Sequence, residues 1–183
     1  MFKNRPLSFH NRAMPTAKAS IAAHKQGKFW EFHDKMFANQ QKLEDADLEG
    51  YAKEVGLDVA KWKADLASKE VEALVKRQDS ACEKNGSAGT PGFFVNGRYL
   101  SGALPFEEFK AVIEDEKKKA EAAIAKGGTT RDDYYAKLIA DAKKAARKSS
   151  GLEGPVNKFA LDDSPVFGPN KAIATLVIFS EFQ

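Results

Sequence analysis

Gly89-Thr90-Pro91-Gly92-Phe93-Phe94-Val95-Asn96-Gly97-Arg98-Tyr99-Leu100-Ser101-Gly102 is the stretch that decides the fold. Phe93 to Val95 is a short apolar run of strand-favouring residues. Asn96-Gly97 is the strongest short hairpin signal a sequence offers, and Arg98 to Ser101 is the returning strand. Thr90-Pro91 stands in front, framed by glycines. Proline has no N–H to give to a sheet, so it suits the first residue of a strand or the turn leading into one. X-Pro is also the only common place for a cis peptide.

Downstream, Pro105-Phe106 starts an amphipathic helix whose Phe106, Phe109, Val112 and Ile113 are predicted to face back onto the hairpin. Thr-Pro, strand, Asn-Gly, strand, glycine, helix resembles the closing half of a thioredoxin fold. Two further motifs narrow the reading: Phe2-Lys3-Asn4-Arg5-Pro6-Leu7-Ser8-Phe9-His10 and Gly27-Lys28-Phe29-Trp30-Glu31-Phe32-His33-Asp34-Lys35-Met36-Phe37. With the hairpin, these resemble the DsbA-like thioredoxin-domain family of bacterial thiol–disulfide oxidoreductases, in the family's order and spacing, from about Phe2 to Ala125.

That resemblance implies an α/β, thioredoxin-like fold with an inserted helical subdomain and a periplasmic or otherwise extracytoplasmic setting. It also implies a cis proline at Pro91 that faces the family's disulfide. The backbone of Thr90 would then be left to pair with an extended or unfolded polypeptide substrate, a form of strand addition. Thr90 and Pro91 are therefore the substrate-binding candidates.

The family's chemistry needs two thiols, in a Cys-x-x-Cys at a helix N-terminus, where the dipole lowers the thiolate pKa and the second cysteine resolves the mixed disulfide. This chain has one cysteine, Cys82, and no such motif. No catalytic residue is assigned. Cys82 is a candidate lone thiol, but it lies seven residues after Val75 and eight after Leu74, the spacing of a helix's buried face.

The 183 residues suit one domain with an appendage, and a hydrophobic fraction of 43% is enough for a core. A net charge of +3 with both signs interspersed makes no electrostatic case for nucleic acid. No apolar run approaches membrane-spanning length, and no charged-then-apolar leader opens the chain. The three histidines, His10, His24 and His33, have no Cys or carboxylate at ligand spacing, so neither a metal nor a cofactor is expected.

From the start, Met1 to Asn4 reads as the tail of a strand. Asn11 is predicted to cap a helix that tolerates Pro15 near its start. Phe29, Trp30, His33 and Phe37, with Phe32 and Met36 alongside, form an aromatic stripe read as core packing, with His33 bonded to backbone. Asp45 to Gly56 and Asp58 to Ala67 read as short helices with acidic caps. Ser68 caps a longer one carrying Val71, Leu74, Val75 and Cys82 on one face.

The predicted organisation is a thioredoxin-like core from 1–10 and 89–126, an inserted helical subdomain over 11–88, an extra helix over 129–148 and a linker over 149–172. Residues 173–183 then supply a core strand. Ile173-Ala174-Thr175-Leu176-Val177-Ile178-Phe179-Ser180-Glu181-Phe182-Gln183 is a continuous β-branched and aromatic run, the pattern of a strand buried on both faces. Its end resembles the family's first core strand, which the Cys-x-x-Cys would follow. The chain thus reads as a window from a tandem protein or as a rearranged domain, natural or engineered. Residues 174–179 are expected to pair in parallel with Phe2 to Asn4 and antiparallel with Phe93 to Val95, within one chain or swapped in a homodimer.

The functional expectation is a member or fragment of a thiol–disulfide oxidoreductase acting on extracytoplasmic proteins, itself redox-inactive for want of Cys-x-x-Cys. The alternative is a non-catalytic peptide-binding module that uses the Thr90-Pro91 loop.

Overall fold

The computed structural model describes residues 1–87, 89–140, 159, 164–169 and 172–182. In chain order the elements are β1 (Phe2–Asn4), α1 (Ala13–His24), α2 (Phe29–Ala38), α3 (Asp45–Glu54), α4 (Val59–Leu66) and α5 (Lys69–Lys84). There follow β2 (Gly92–Val95), β3 (Arg98–Ser101), α6 (Phe106–Ala125), α7 (Tyr134–Ala140) and β4 (Leu176–Ser180). The architecture is mixed α/β, with one four-stranded sheet in the order β1-β4-β2-β3. The chain divides into two compact units. One comprises Met1–Lys3 with Ala81–Phe179, and the other Asn4–Ser80 with Ser180–Gln183.

In the first unit, the hairpin forms because Asn96 and Gly97 both adopt positive φ, 47° and 85°, as a two-residue turn of this hand requires. β2 and β3 pair antiparallel with Phe94 opposite Tyr99, and β2 pairs antiparallel with β4 with Phe94 opposite Val177. β4 and β1 run in parallel: Met1 N donates to Leu176 O at 2.8 Å, and Ile178 N–H donates to Met1 O at 2.9 Å. The outer edge of β1 is closed by Phe2 N–H donating to Pro165 O at 2.8 Å.

One face of the sheet buries Met1, Phe94, Val177 and Phe179 with Cys82 and Phe159. Against the other lie α6 residues Phe109, Val112 and Ile113, with Val95, Leu100 and Leu176. Phe106 departs from the expected pattern. It is the first residue of α6, directly after the N-cap Pro105, and is 74% exposed. Two described residues of the predicted linker pack inward. Phe159 is buried in the core, and Ser164 accepts a 3.0 Å hydrogen bond from the buried Lys3 ammonium. Most of residues 149–163 and the extra helix beyond Ala140 lie outside the described residues.

In the second unit, α1 is buried on nearly every side, because Ala17, Ala19, Ala22 and Ala23 let neighbouring helices approach closely. Its N-cap is Arg12, not Asn11. α5 sets Val71, Leu74 and Val75 against Ala17 and Ile21. Further along α5, the buried Gln78 accepts from both the backbone N–H (2.9 Å) and the side-chain amide (3.0 Å) of Asn4. The caps of α3 and α4 follow the acidic pattern: Glu44 and Asp47 form a capping box, and Asp58 accepts from Lys61 N–H at 3.0 Å.

The aromatic stripe on α2 splits. Phe29, Phe32 and Met36 are the buried residues, spaced as one helix face, whereas Trp30 and His33 are half-buried and Phe37 is exposed. Among the described residues no helix is long and apolar enough to cross a membrane.

Candidate functional site

Thr90 and Pro91 lie between the end of α5 and the start of β2, and both are half-buried. The peptide bond joining them is cis. Their loop is held on both sides. Ser87 N–H donates to Cys82 O at 3.2 Å as α5 ends, and Gly102 N–H donates to Pro91 O at 2.9 Å from beyond β3. The Ser87 hydroxyl donates to Gly89 O at 3.3 Å and meets the Tyr99 hydroxyl at 3.4 Å. A Cβ at Gly92 would stand 2.3 Å from Ser87 Oγ, so any other residue there must displace that hydroxyl.

Cys82 is fully buried. It sits among Met1, Phe94, Phe159, Val177 and Phe179, with its S–H donating to Ser87 O at 3.5 Å. A thiol sealed in this way meets no second thiol unless the core opens.

A second group of polar side chains gathers where β4 ends, within the helical unit. The Glu181 carboxylate is buried; Oε2 accepts from Leu7 N–H at 2.9 Å and Oε1 lies 2.7 Å from His10 Nδ1. The pair fixes the imidazole ring and ties the loop after β1 to the end of β4. Beside it, the buried Phe182 packs against His33 and Phe37, with ring centroids 5.6 and 5.2 Å away. His33 Nδ1 faces the Asp34 carboxylate at 2.9 Å. Sequence reasoning missed the His10–Glu181 pair. The two residues are 171 positions apart, and no periodicity connects them. Among the described residues, no cluster of three or more His, Cys, Asp or Glu side chains could hold a metal ion.

The helices α1 to α5, the Thr90-Pro91 loop and the β2–β3 hairpin fall in a stretch that matches a known family. The model of the DSBA-like thioredoxin domain matches residues 4–114. This chain belongs to that family. The DSBA-like thioredoxin domain is a thiol–disulfide oxidoreductase family; this chain carries one cysteine.

Similar curated proteins bear a different kind of name. The chain is 42% identical over 110 residues to the Na(+)/H(+) antiporter NhaA of Herminiimonas arsenicoxydans, covering 60% of this chain and 18% of that protein. It is 35% identical over 114 residues to the Na(+)/H(+) antiporter NhaA 1 of Salinispora arenicola, covering 62% and 18%. The match to the NhaA 1 antiporter of Mycobacterium sp. (strain KMS) is 37% over 95 residues, 51% and 16%. The chain thus spans under a fifth of the length of these relatives. No solved structure matches.

Proposed function

We propose that this DSBA-like domain turns over no thiol–disulfide chemistry by itself. The observation that carries the reading is the state of Cys82: the chain's one thiol is shut inside the sheet's core. Exchange within one domain needs an attacking thiolate that solvent and substrate can reach and a second thiol to resolve the mixed disulfide. The test is insulin reduction by dithiothreitol. The expected rate with the chain present equals that of buffer and does not change in Cys82→Ser; acceleration above buffer refutes the reading.

What such a domain retains is a place for extended or unfolded polypeptide at Thr90 and Pro91. Support for this second reading comes from the loop itself, which is reachable at both residues yet braced by Ser87 on one side and Gly102 on the other. Calorimetric titration with an unfolded peptide should show binding that Pro91→Ala removes. Equal binding by the variant assigns the peptide to another surface.

The relatives' name suggests a setting. The shared stretch is read as a thioredoxin-like portion of those antiporters, separate from the part that exchanges Na⁺ for H⁺. This agrees with the family match over residues 4–114 and with an extracytoplasmic place of action. In the same reading β4 stands in for the family's first core strand, reached late in the chain through a tandem or rearranged order, and a strand-swapped homodimer would use the same ladder between two copies.

A further inference from the structure

The helical unit carries a cavity of about 630 Å³ bounded by α1, α3 and α4. Its floor is apolar, made by Met14, Pro15, Leu48, Trp62 and Leu66. The Trp62 N–H is spent on Ala19 O at 3.1 Å and the indole, like Leu48, is only 1% exposed, so the apolar surface open to a ligand is that of Met14, Pro15 and Leu66. The volume falls within the range that small-molecule sites occupy, where an apolar lining supplies affinity and a few polar groups set orientation.

The charges at the mouth decide what kind of molecule fits. Arg12 pairs with Asp45 at 2.5 Å and with Glu44 at 3.6 Å, and its Nε–H donates to Leu43 O at 2.8 Å. Lys63 pairs with Glu49 at 2.8 Å. Both carboxylates lining the cavity are therefore committed to cations already present. Lys18, on the same rim, forms no ion pair among the described residues. Glu72, a carboxylate that senses its charge, is bonded to Lys76 at 2.5 Å instead. An apolar chamber with one surplus positive charge at its entrance is complementary to an apolar body bearing a single negative head. It disfavours cations, because Asp45 and Glu49 each already face a cation, and dianions, which find only one unpaired ammonium.

We propose that this cavity binds a small amphipathic monocarboxylate, with its hydrocarbon over Met14, Pro15 and Leu66, above the buried Trp62, and its carboxylate at Lys18. The probe is octanoate below its micellar range, titrated calorimetrically into the full chain, with Trp62 emission followed in a Trp30→Phe background. One-to-one saturable binding is expected together with a change in Trp62 emission. Octylammonium, of equal length and opposite charge, should bind at least tenfold more weakly, and Lys18→Gln should weaken octanoate by a similar factor. Ala46→Phe, which pushes a ring into the mouth from an exposed position, should abolish it. Absence of saturable octanoate binding, equal affinity for octylammonium, or full binding by a folded Ala46→Phe variant overturns the proposal. The octylammonium comparison needs no variant, so it decides the matter even if a substitution unfolds the helices.

Discussion

Asn96 Oδ1 accepts the backbone N–H of Thr175 at 2.7 Å, so the turn of one hairpin holds the segment that leads into β4. The same side chain donates from Nδ2 to Ile173 O at 3.2 Å, and Asn96 N–H donates to Thr175 O at 2.8 Å. A residue chosen at first sight for its left-handed backbone therefore also behaves as a short piece of strand, pairing with a chain 79 positions away.

Substituting Asn96 separates these two roles. Asn96→Gly keeps the positive φ but leaves the Thr175 N–H and Ile173 carbonyl without their side-chain partners, at a cost of about 1–3 kcal/mol. Asn96→Ala adds the penalty of an L side chain at φ 47°, about 1–2 kcal/mol more. Urea unfolding of the three proteins checks the order. If the Asn96→Gly variant proves as stable as wild type, the side-chain bridge contributes nothing.

Gly92 and Ser87 should be coupled. A Cβ on residue 92 would sit 2.3 Å from Ser87 Oγ, while the next nearest atoms, on Tyr99 and Gly89, are at 3.4 and 3.5 Å. Gly92→Ala therefore displaces the hydroxyl that braces the Thr90-Pro91 loop, with an expected loss of about 1–3 kcal/mol. In a Ser87→Ala background the offending atom is gone and the same substitution should cost much less. A double-mutant cycle by denaturant unfolding measures the difference, and additive effects would mean that Ser87 swings aside freely.

Tyr135 predicts a loss of stability in alkali. Its side chain is buried, its hydroxyl has no hydrogen-bond partner among the described residues, and burial pushes its pKa up to about 12 from 10. Between those values the unfolded chain ionises this phenol and the folded chain does not. The unfolded state then holds fewer protons and stability falls as pH rises, by at most about 1.4 kcal/mol per unit. The fall begins near pH 10 and is complete above 12. Tyr135→Phe should flatten that part of the profile, and at neutral pH it should be neutral or stabilising, since it removes an unpaired buried hydroxyl. An unchanged alkaline slope in the variant would assign the effect to other groups.

Much of the fold was readable because its signals are local. Asn96-Gly97 marks a hairpin whatever surrounds it, and the short apolar run Leu176 to Phe179, with Val177 and Ile178 β-branched, reads as a strand, of which Val177 and Phe179 are buried and Leu176 and Ile178 half-buried. Side-chain facing was less readable where two periodic readings overlapped. On α2, Phe29, Phe32 and Met36 and the set Trp30, His33 and Phe37 both recur at helical spacing, and only tertiary packing selects the first for burial. Phe106 has the hydrophobicity of its helix face but sits in the first turn, where the hairpin no longer covers it. Phe159 was lost among prolines and glycines, whose turn signals outweighed one aromatic residue. At the candidate site, Thr90 and Pro91 announce themselves by composition. Their support by Ser87 and Gly92 depends on a distance that no pattern encodes.

The His10–Glu181 pair is the clearest long-range contact of this kind, and its two members should contribute unequally. Glu181 is buried and receives Leu7 N–H at 2.9 Å as well as the imidazole at 2.7 Å, whereas the His10 side chain is 33% exposed. Glu181→Ala strips a partner from a backbone donor and from the ring together, so about 2–3 kcal/mol should be lost. His10→Ala leaves the carboxylate its backbone donor and trims a partly solvated contact, so about 1 kcal/mol or less is expected. Hydrogen exchange separates the two effects. The Leu7 amide should lose protection in Glu181→Ala and keep it in His10→Ala, because the bond it makes is to the carboxylate and not to the ring. Equal loss of Leu7 protection in both variants would mean that the imidazole, not the backbone, holds Glu181 in place.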